Sequence, residues 1–522
     1  MNQRSWIWWI ALAAAIAFDY LFWKHAPGIN FFVFVALTLA AGAGSAWLNG
    51  ARPGWRSAVL IPFILGAAAI TFLRTEPLTV LCGAGLTLGL MTILAYSYRG
   101  GNWPFYGVFD HVAAAVRLGV AAALHPAVLP AEKKPAVAAG PAPAWRRWLP
   151  GVLRGLVLAL PVVLVFAALL SSADPVFGRF LNRIFDIDRL PEYIFRLGYI
   201  LIGMYVLTGV ILYAVFSGRE EKFGEAGGMS IKPFIGFVES AVVLGSVGLL
   251  FASFVVVQFR YFFGGTANIT AEGFTYAEYA RRGFGELVAV AFFSLMLLLA
   301  FGSLTRREQP AQRRVFSGLS VFLVAMAAVI LASSYGRLLL YEDAYGFTSL
   351  RLYTHVFILW LGVLLAAAAA LELFGRIRFF SAAAIAAAAG FTLTLAILNV
   401  DATIVRMNGL RSFEAGPGEG AALDTAYFGE LSADAVPELV ALYQASAGAE
   451  RDDIGAGLSC RLARMEESGD PAWQSYRRPV AEALRLLRAS GVAEAYPVDS
   501  DRGWFVNVGG EPRSCRGREW ID

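Results

Sequence analysis

The chain has 522 residues, 58% of them hydrophobic and 16% charged, with a mean hydropathy of +0.60. A soluble globular domain does not carry that much apolar surface, so the expected solvent is a lipid bilayer. The net charge of +4 is divided among short basic clusters between apolar runs, a pattern that sets membrane topology rather than one that binds nucleic acid.

A spanning helix needs roughly 20 apolar residues to cross a hydrocarbon core about 30 Å thick. In chain order the candidates are Trp6 to Trp23, Phe31 to Leu48, Ala58 to Phe72, Leu78 to Tyr98, Val152 to Leu170, Tyr193 to Phe216, Phe234 to Phe262, Leu287 to Leu304, Val315 to Leu340, Leu350 to Leu373 and Phe379 to Leu398. The predicted fold class is all-α: a polytopic transmembrane helix bundle of about 11 spans, followed by a small, mainly helical C-terminal domain. The first run contains Asp19, precedes Lys24 and His25 and lacks a small-x-small cleavage site, so it reads as a span and not as a signal peptide. Trp6, Trp8, Trp9 and Trp23 at its ends fit interfacial aromatic belts.

Four regions follow from composition: 1–99, a four-span segment; 100–150, a linker; 151–400, a seven-span segment; and 401–522, a soluble C-terminal domain. The linker begins as an amphipathic helix over Tyr106 to Leu124 and becomes a Pro/Ala-rich tether. In the C-terminal domain, Val436, Leu439, Val440 and Tyr443 recur at helical spacing, with Ser432 or Asp434 as N-cap and Pro437 in the first turn. A second helix from Pro471 to Ser490 is expected to bury Val480, Leu484 and Leu487 and to stop at Gly491, and Trp504 to Val508 reads as one short strand. The domain is large enough for a modest core of its own. If every run spans, Arg4, Arg52, Arg56, Arg99, Lys133, Lys134, Arg146, Arg147, Arg219, Lys222, Lys232, Arg306, Arg307, Arg313, Arg314, Arg376 and Arg378 share one side, which should be the cytoplasm. The N-terminus is then inside and the C-terminal domain outside.

Polar residues gather at the ends this topology places outside. The candidate binding cluster is Arg260, Glu278, Arg281, Glu286, Arg337, Tyr341, Glu342, Asp343, Arg351 and His355. Arg337 and Tyr341 lie one helical turn apart, as do Arg351 and His355, so each pair can share a face. Ionisable groups at membrane depth tend to mark sites, while the competing reading is snorkelling and interhelical pairing that fixes packing alone. Asp19 and Glu239 stand isolated and read as packing or interface residues, and Gly85 and Gly89 form a GxxxG that would permit close helix approach. No zinc-type Cys/His spacing and no phosphate-loop, zinc-protease or hydrolase motif occurs, so no cofactor, metal or catalytic residue is expected. Of the three cysteines, Cys82 lies in a span, and Cys460 and Cys515 would share an oxidising compartment and form a disulfide.

Four stretches together resemble a known family: SADPVF at Ser172 to Phe177, TYAEYARRGFGEL at Thr275 to Leu287, LYEDAYGFTSLRLYTH at Leu340 to His355, and NVDATIVRMN at Asn399 to Asn408 with LDTAYFGELSADAVP at Leu423 to Pro437. They are similar to the bacterial membrane-protein family called domain of unknown function 4173, a relative of family 4153, from about Val152 onward. The resemblance implies a polytopic protein of the bacterial inner membrane with no catalytic residue to carry over. Three function classes are weighed. A binding or accessory protein of the cell envelope, with the bilayer and an envelope protein or lipid as partners, asks least of the sequence. A small-solute transporter should show internal repeats and deep polar groups. An enzyme on an outer-leaflet lipid-linked substrate would use Glu342, Asp343 or His355 as acid or base.

Overall fold

The computed structural model of the protein describes residues 5–128, 163, 166, 169–170, 173–174, 190–217, 233–262, 284–415, 423–499 and 504–515. The membrane part contains α1 (Ser5–Phe22), α2 (Ile29–Leu48), α3 (Trp55–Ala58), α4 (Leu60–Leu73), α5 (Pro77–Ser97), α6 (Val108–Val128), α7 (Leu190–Leu212), α8 (Phe237–Phe262), α9 (Phe284–Leu304), α10 (Pro310–Tyr345), α11 (Ser349–Leu373) and α12 (Phe380–Leu398). Among the described residues ten helices are long and apolar enough to cross a bilayer, with α1 a shorter apolar helix beside them. The count differs from the sequence reading in three places, the first being α1, expected as a span and shorter than the ten. Most of the run from Val152 to Leu170 lies outside the described residues, and α6, read as amphipathic, is itself apolar enough to qualify.

The loops define two ends of the bundle. At one, Arg56 and Arg378 both stack over the Phe105 ring, Trp103 donates to the Arg56 carbonyl at 3.1 Å, Arg99 donates to the Val215 carbonyl at 3.0 Å, and Arg307 pairs with Glu372 at 2.8 Å. The described basic loops therefore gather at a single end. There α6 packs against α5 and α7, with Ala114, Leu118 and Ala121 in one cluster with Tyr96, Tyr106 and Tyr213. Its close approach to α7 comes at Gly209, where a Cβ would stand 2.3 Å from the Ala122 carbonyl. Gly85 and Gly89 have nothing within 4 Å of a built Cβ, which corrects the GxxxG expectation: close packing is made by Gly209, not by the motif. Asp19 is likewise not isolated. It accepts from Arg196 at 2.9 and 2.5 Å and from Tyr199, holding α1 to α7.

The C-terminal domain stands on the opposite end. It comprises α13 (Val400–Ala415), α14 (Thr425–Glu430), α15 (Val436–Ala445), α16 (Gly448–Glu467), α17 (Arg478–Ala489), α18 (Val492–Ala495) and strands β1 (Val498–Asp499), β2 (Phe505–Val508) and β3 (Glu511–Ser514). Asn399 separates α12 from α13 with a left-handed backbone (φ 51°), a conformation that asparagine tolerates. The single strand expected at Trp504 to Val508 is the centre of a three-stranded antiparallel sheet, β1-β2-β3. Gly509 and Gly510, both at positive φ, supply the two-residue turn from Val508 to Glu511. Val506 and Val508 face α16, where Cys460 and Cys515 form a disulfide with their Cα atoms 5.2 Å apart. Cys82 is a free thiol.

The second expected helix begins later than Pro471, at Arg478, and buries Pro479, Ala483 and Leu487, with Val480 and Leu484 only partly covered. Gly491 ends it at φ 71°. The domain's main core extends into the bundle: Leu352, Val356 and Leu395 of the bundle join Ile404, Phe428, Val436, Leu439 and Leu487 of the domain in one buried cluster. Burial at about 25 cal/mol per Å² of apolar surface therefore holds domain and bundle together as one packed body.

Candidate functional site

Three helix-to-helix loops carry the domain. The α1–α2 loop is met by the segment before α17: Ser475 donates to the Ala26 carbonyl at 3.1 Å, Arg477 to the Pro27 carbonyl at 2.9 Å, and the Ile29 amide to the Tyr476 carbonyl at 3.0 Å. Gly28 permits this, since a Cβ there would lie 2.7 Å from the Tyr476 oxygen. The α10–α11 loop is gripped by α13 and α14. Asn408 exchanges two hydrogen bonds with Phe347, Arg411 donates to the Asp343 carbonyl at 2.5 Å, and Ser349 donates its amide to the Tyr427 hydroxyl at 2.8 Å.

The α4–α5 loop, Arg74 to Glu76, holds the ionic joint. Of the two residues expected as N-cap, Ser432 takes the role and Asp434 turns towards the bundle. Its Oδ2 accepts from the Thr75 amide (2.5 Å), the Thr75 hydroxyl (2.7 Å) and the Glu76 amide (3.0 Å). Glu76 caps α5 through the amides of Leu78 (2.7 Å) and Thr79 (2.8 Å), with Pro77 in the first turn, and also accepts from the Tyr353 hydroxyl of α11. Asp401 accepts from the Ser432 amide at 2.8 Å. Burial chiefly, and to a lesser degree the nearby carboxylates of Glu76 and Asp434, push the Asp401 pKa up, while the bonds to Ser432 pull against that rise.

Arg461 is buried beneath this loop and donates to the carbonyls of Leu431 (2.5 Å), Ser432 (2.9 Å), Gly429 (3.0 Å) and Phe428 (3.4 Å). Burial first, then the Arg464 charge, lowers its pKa to about 10, which leaves it charged at neutral pH. Among the described residues no group of three or more His, Cys, Asp or Glu side chains is arranged to hold a metal ion.

Beside the joint a groove of about 460 Å³ opens between α4, α12 and the domain. The bundle lines it mainly with apolar residues, Gly66, Ile70, Leu73, Leu393, Ala396 and Ile397, together with Arg74 and Asn399, and the domain with Ala433, Pro437 and Pro479 and the polar Asp434, Arg478 and Glu482.

The sequence-derived cluster is divided. Tyr341, Glu342, Arg351 and His355 meet at the α10–α11 turn, where His355 Nε2 lies 2.5 Å from Glu342 Oε2 and the Arg351 guanidinium stacks 4.1 Å over the Tyr341 ring. Arg337 lies one helical turn before Tyr341 on α10, and Asp343 is exposed, engaged through its carbonyl. Glu286 is exposed at the start of α9, away from these residues in sequence and element. Glu278, Arg281 and the Arg260 side chain lie outside the described residues. Of the joint residues, sequence reasoning placed Tyr353 among the polar residues at the outer helix ends and missed Arg74, Glu76, Asp401, Asp434 and Arg461 as a site. A Glu-Pro step opening an apolar run was the one local signal for Glu76.

The fold and this joint define a multi-pass integral membrane protein with a helical domain packed on the loops at one end of its bundle. The profile of DUF4153, a domain of unknown function, matches residues 60–442, and the chain belongs to that family. The resemblance to family 4173 is thus corrected to the related family. The match also begins within the four-span segment and not near Val152, so it includes the Arg74–Glu76 loop along with the domain's Asp401 and Asp434. No curated protein and no solved structure matches the chain.

Proposed function

We propose that this is a binding protein of the bacterial cell envelope, set in the inner membrane with its N-terminus in the cytoplasm and its C-terminal domain outside. The observation that carries the reading is the domain packed on the bundle, which leaves beside its ionic joint a groove lined by apolar residues of the membrane helices and polar residues of the joint and domain. Ligand sites are typically clefts of this size with a few convergent polar groups. The orientation rests on the basic loops gathered at the opposite end, as the positive-inside rule favours. The disulfide within the domain agrees with an oxidising compartment. In this orientation residues 100–150 form a cytoplasmic linker, and α6, whose partners are the end-turn residues Tyr96, Tyr106 and Tyr213, lies along the cytoplasmic boundary.

Reporter fusions at Arg314 and at Asp522 should report opposite compartments, and the same compartment for both would overturn the orientation. A photo-reactive residue at Glu482, on the groove, should give a discrete adduct in living cells. Labelling no stronger than from Arg485, an exposed position on the same helix that does not line the groove, would overturn the binding reading.

A further inference from the structure

We infer that the groove at the joint receives the headgroup of a phospholipid that carries N–H or O–H donors beside its phosphate, of the ethanolamine or glycerol type. The inference rests on the proposed envelope-binding reading and names its ligand class.

Two acceptors at the groove are without hydrogen-bond donors. Asp434 has a side chain only 1% exposed, and its Oδ1 is buried without a hydrogen-bond partner. Arg74 Nη1 stands 3.8 Å from that oxygen, an ion pair without a hydrogen bond, while the same guanidinium donates to the Ala396 carbonyl at 2.7 Å and the Leu73 carbonyl at 3.2 Å. The second is Asn399 Oδ1, also buried and unpartnered. A buried acceptor left unmade costs about 1–3 kcal/mol, so the pair calls for a ligand that donates, and the negative charge on Asp434 favours a primary ammonium or a hydroxyl over a bare anion.

The anion belongs a few ångströms away. Arg478 opens α17 with 66% of its side chain exposed, and its ion pair to Glu482 is a loose 4.0 Å. The first turn of α17 has no side-chain cap, so the positive end of its helix dipole favours an anion beside Arg478. Donor-bearing and phosphate-bearing parts of one headgroup thus have separate partners.

The apolar lining from the bundle identifies the ligand as a lipid. Leu73 of α4 stands with Leu393, Ala396 and Ile397 of α12 on the groove, over the buried Ile70, and Ile397 is 79% exposed. This surface continues the membrane face of both helices into the groove, so an acyl chain can lie on it while the headgroup turns in under the domain. A free phosphate ester would leave that lining empty.

The test uses the full-length protein in nanodiscs of phosphatidylcholine containing a minority of phosphatidylethanolamine or phosphatidylglycerol, photo-crosslinked from position 482 with the adduct identified by mass. Phosphatidylcholine is the control because its quaternary ammonium has a phosphate but no N–H donor. The expected result is enrichment of ethanolamine or glycerol lipid about fivefold over its share of the bilayer, roughly the worth of one net hydrogen bond. Asn399→Gly keeps the left-handed backbone and removes the acceptor, and Arg478→Glu reverses the anion partner. Each should return labelling to the bulk ratio, while Arg485→Glu leaves it enriched. Labelling in proportion to bulk composition in the parent protein overturns the inference, as does full competition by soluble phosphoethanolamine, which would assign the site to a tail-less ester. A protein adduct formed in cells without lipid enrichment would overturn this inference and leave the envelope-binding reading standing.

Discussion

Arg461→Met tests the joint most directly. Methionine approximates the length and volume of the arginine stem, so what is lost is the guanidinium and its bonds to four carbonyls between Phe428 and Ser432. Each buried carbonyl deprived of its donor costs about 1–3 kcal/mol in isolation. Relaxation and water entry prevent the full sum, and removing one side of a buried charged network typically costs about 3–5 kcal/mol. That figure also applies here, because the freed segment leads straight into Asp434 and its three bonds to Thr75 and Glu76. The amides of Phe428 to Val436, together with those of Thr75 and Glu76, should exchange with solvent faster by about 150-fold to about 4,000-fold, while the centre of α10 is unchanged. Arg461→Lys keeps the charge but not the planar fork and should fall between. Acceleration below about fivefold in Arg461→Met, the scale of one ordinary hydrogen bond, would refute the claim that the guanidinium holds this loop.

The buried Asp401 gives the domain a pH-dependent attachment. Its folded pKa is raised above the ordinary carboxyl value of about 3.9, so its favourable contribution is complete below that value and is lost as pH rises through the folded pKa. Asp401→Asn should flatten this decline; a parent-minus-variant difference in melting temperature that is the same at acid and neutral pH would contradict it. Replacing Cys460 and Cys515 by serine should cost up to roughly 4 kcal/mol by the loop-entropy relation for a separation of 55 residues, read as a lower melting temperature of the domain, with reduction changing the electrophoretic mobility of the parent alone. Gly209→Ala should destabilise the α6–α7 contact by about 1–3 kcal/mol because its Cβ meets backbone. Thermal melting should show no comparable loss for Gly85→Ala or Gly89→Ala.

Hydropathy is a local property, and it determined the membrane character, the helical class and the approximate limits of most spans. Periodicity over Val436 to Tyr443 and the stop at Gly491 were equally legible, because an amphipathic face and a left-handed cap are written in consecutive residues. The sheet was half legible: β2 has alternating burial, but β1 is two residues long and β3 is exposed throughout, so neither carries a pattern of its own, although the Gly509–Gly510 pair marks the turn. Asp434 shows the limit most clearly. Beside Ser432 at the start of an amphipathic run it has every local attribute of an N-cap, and its actual partners, Thr75 and Glu76, lie more than 350 residues away. Tertiary structure alone decided that these groups meet, because a helix end gives its loop no preferred partner until packing of Leu352, Val356 and Leu395 against Ile404, Phe428 and Val436 fixes which loops face the domain. The desolvation of Asp401, Asp434 and Arg461 follows from that packing, and so does the groove between them and the membrane face.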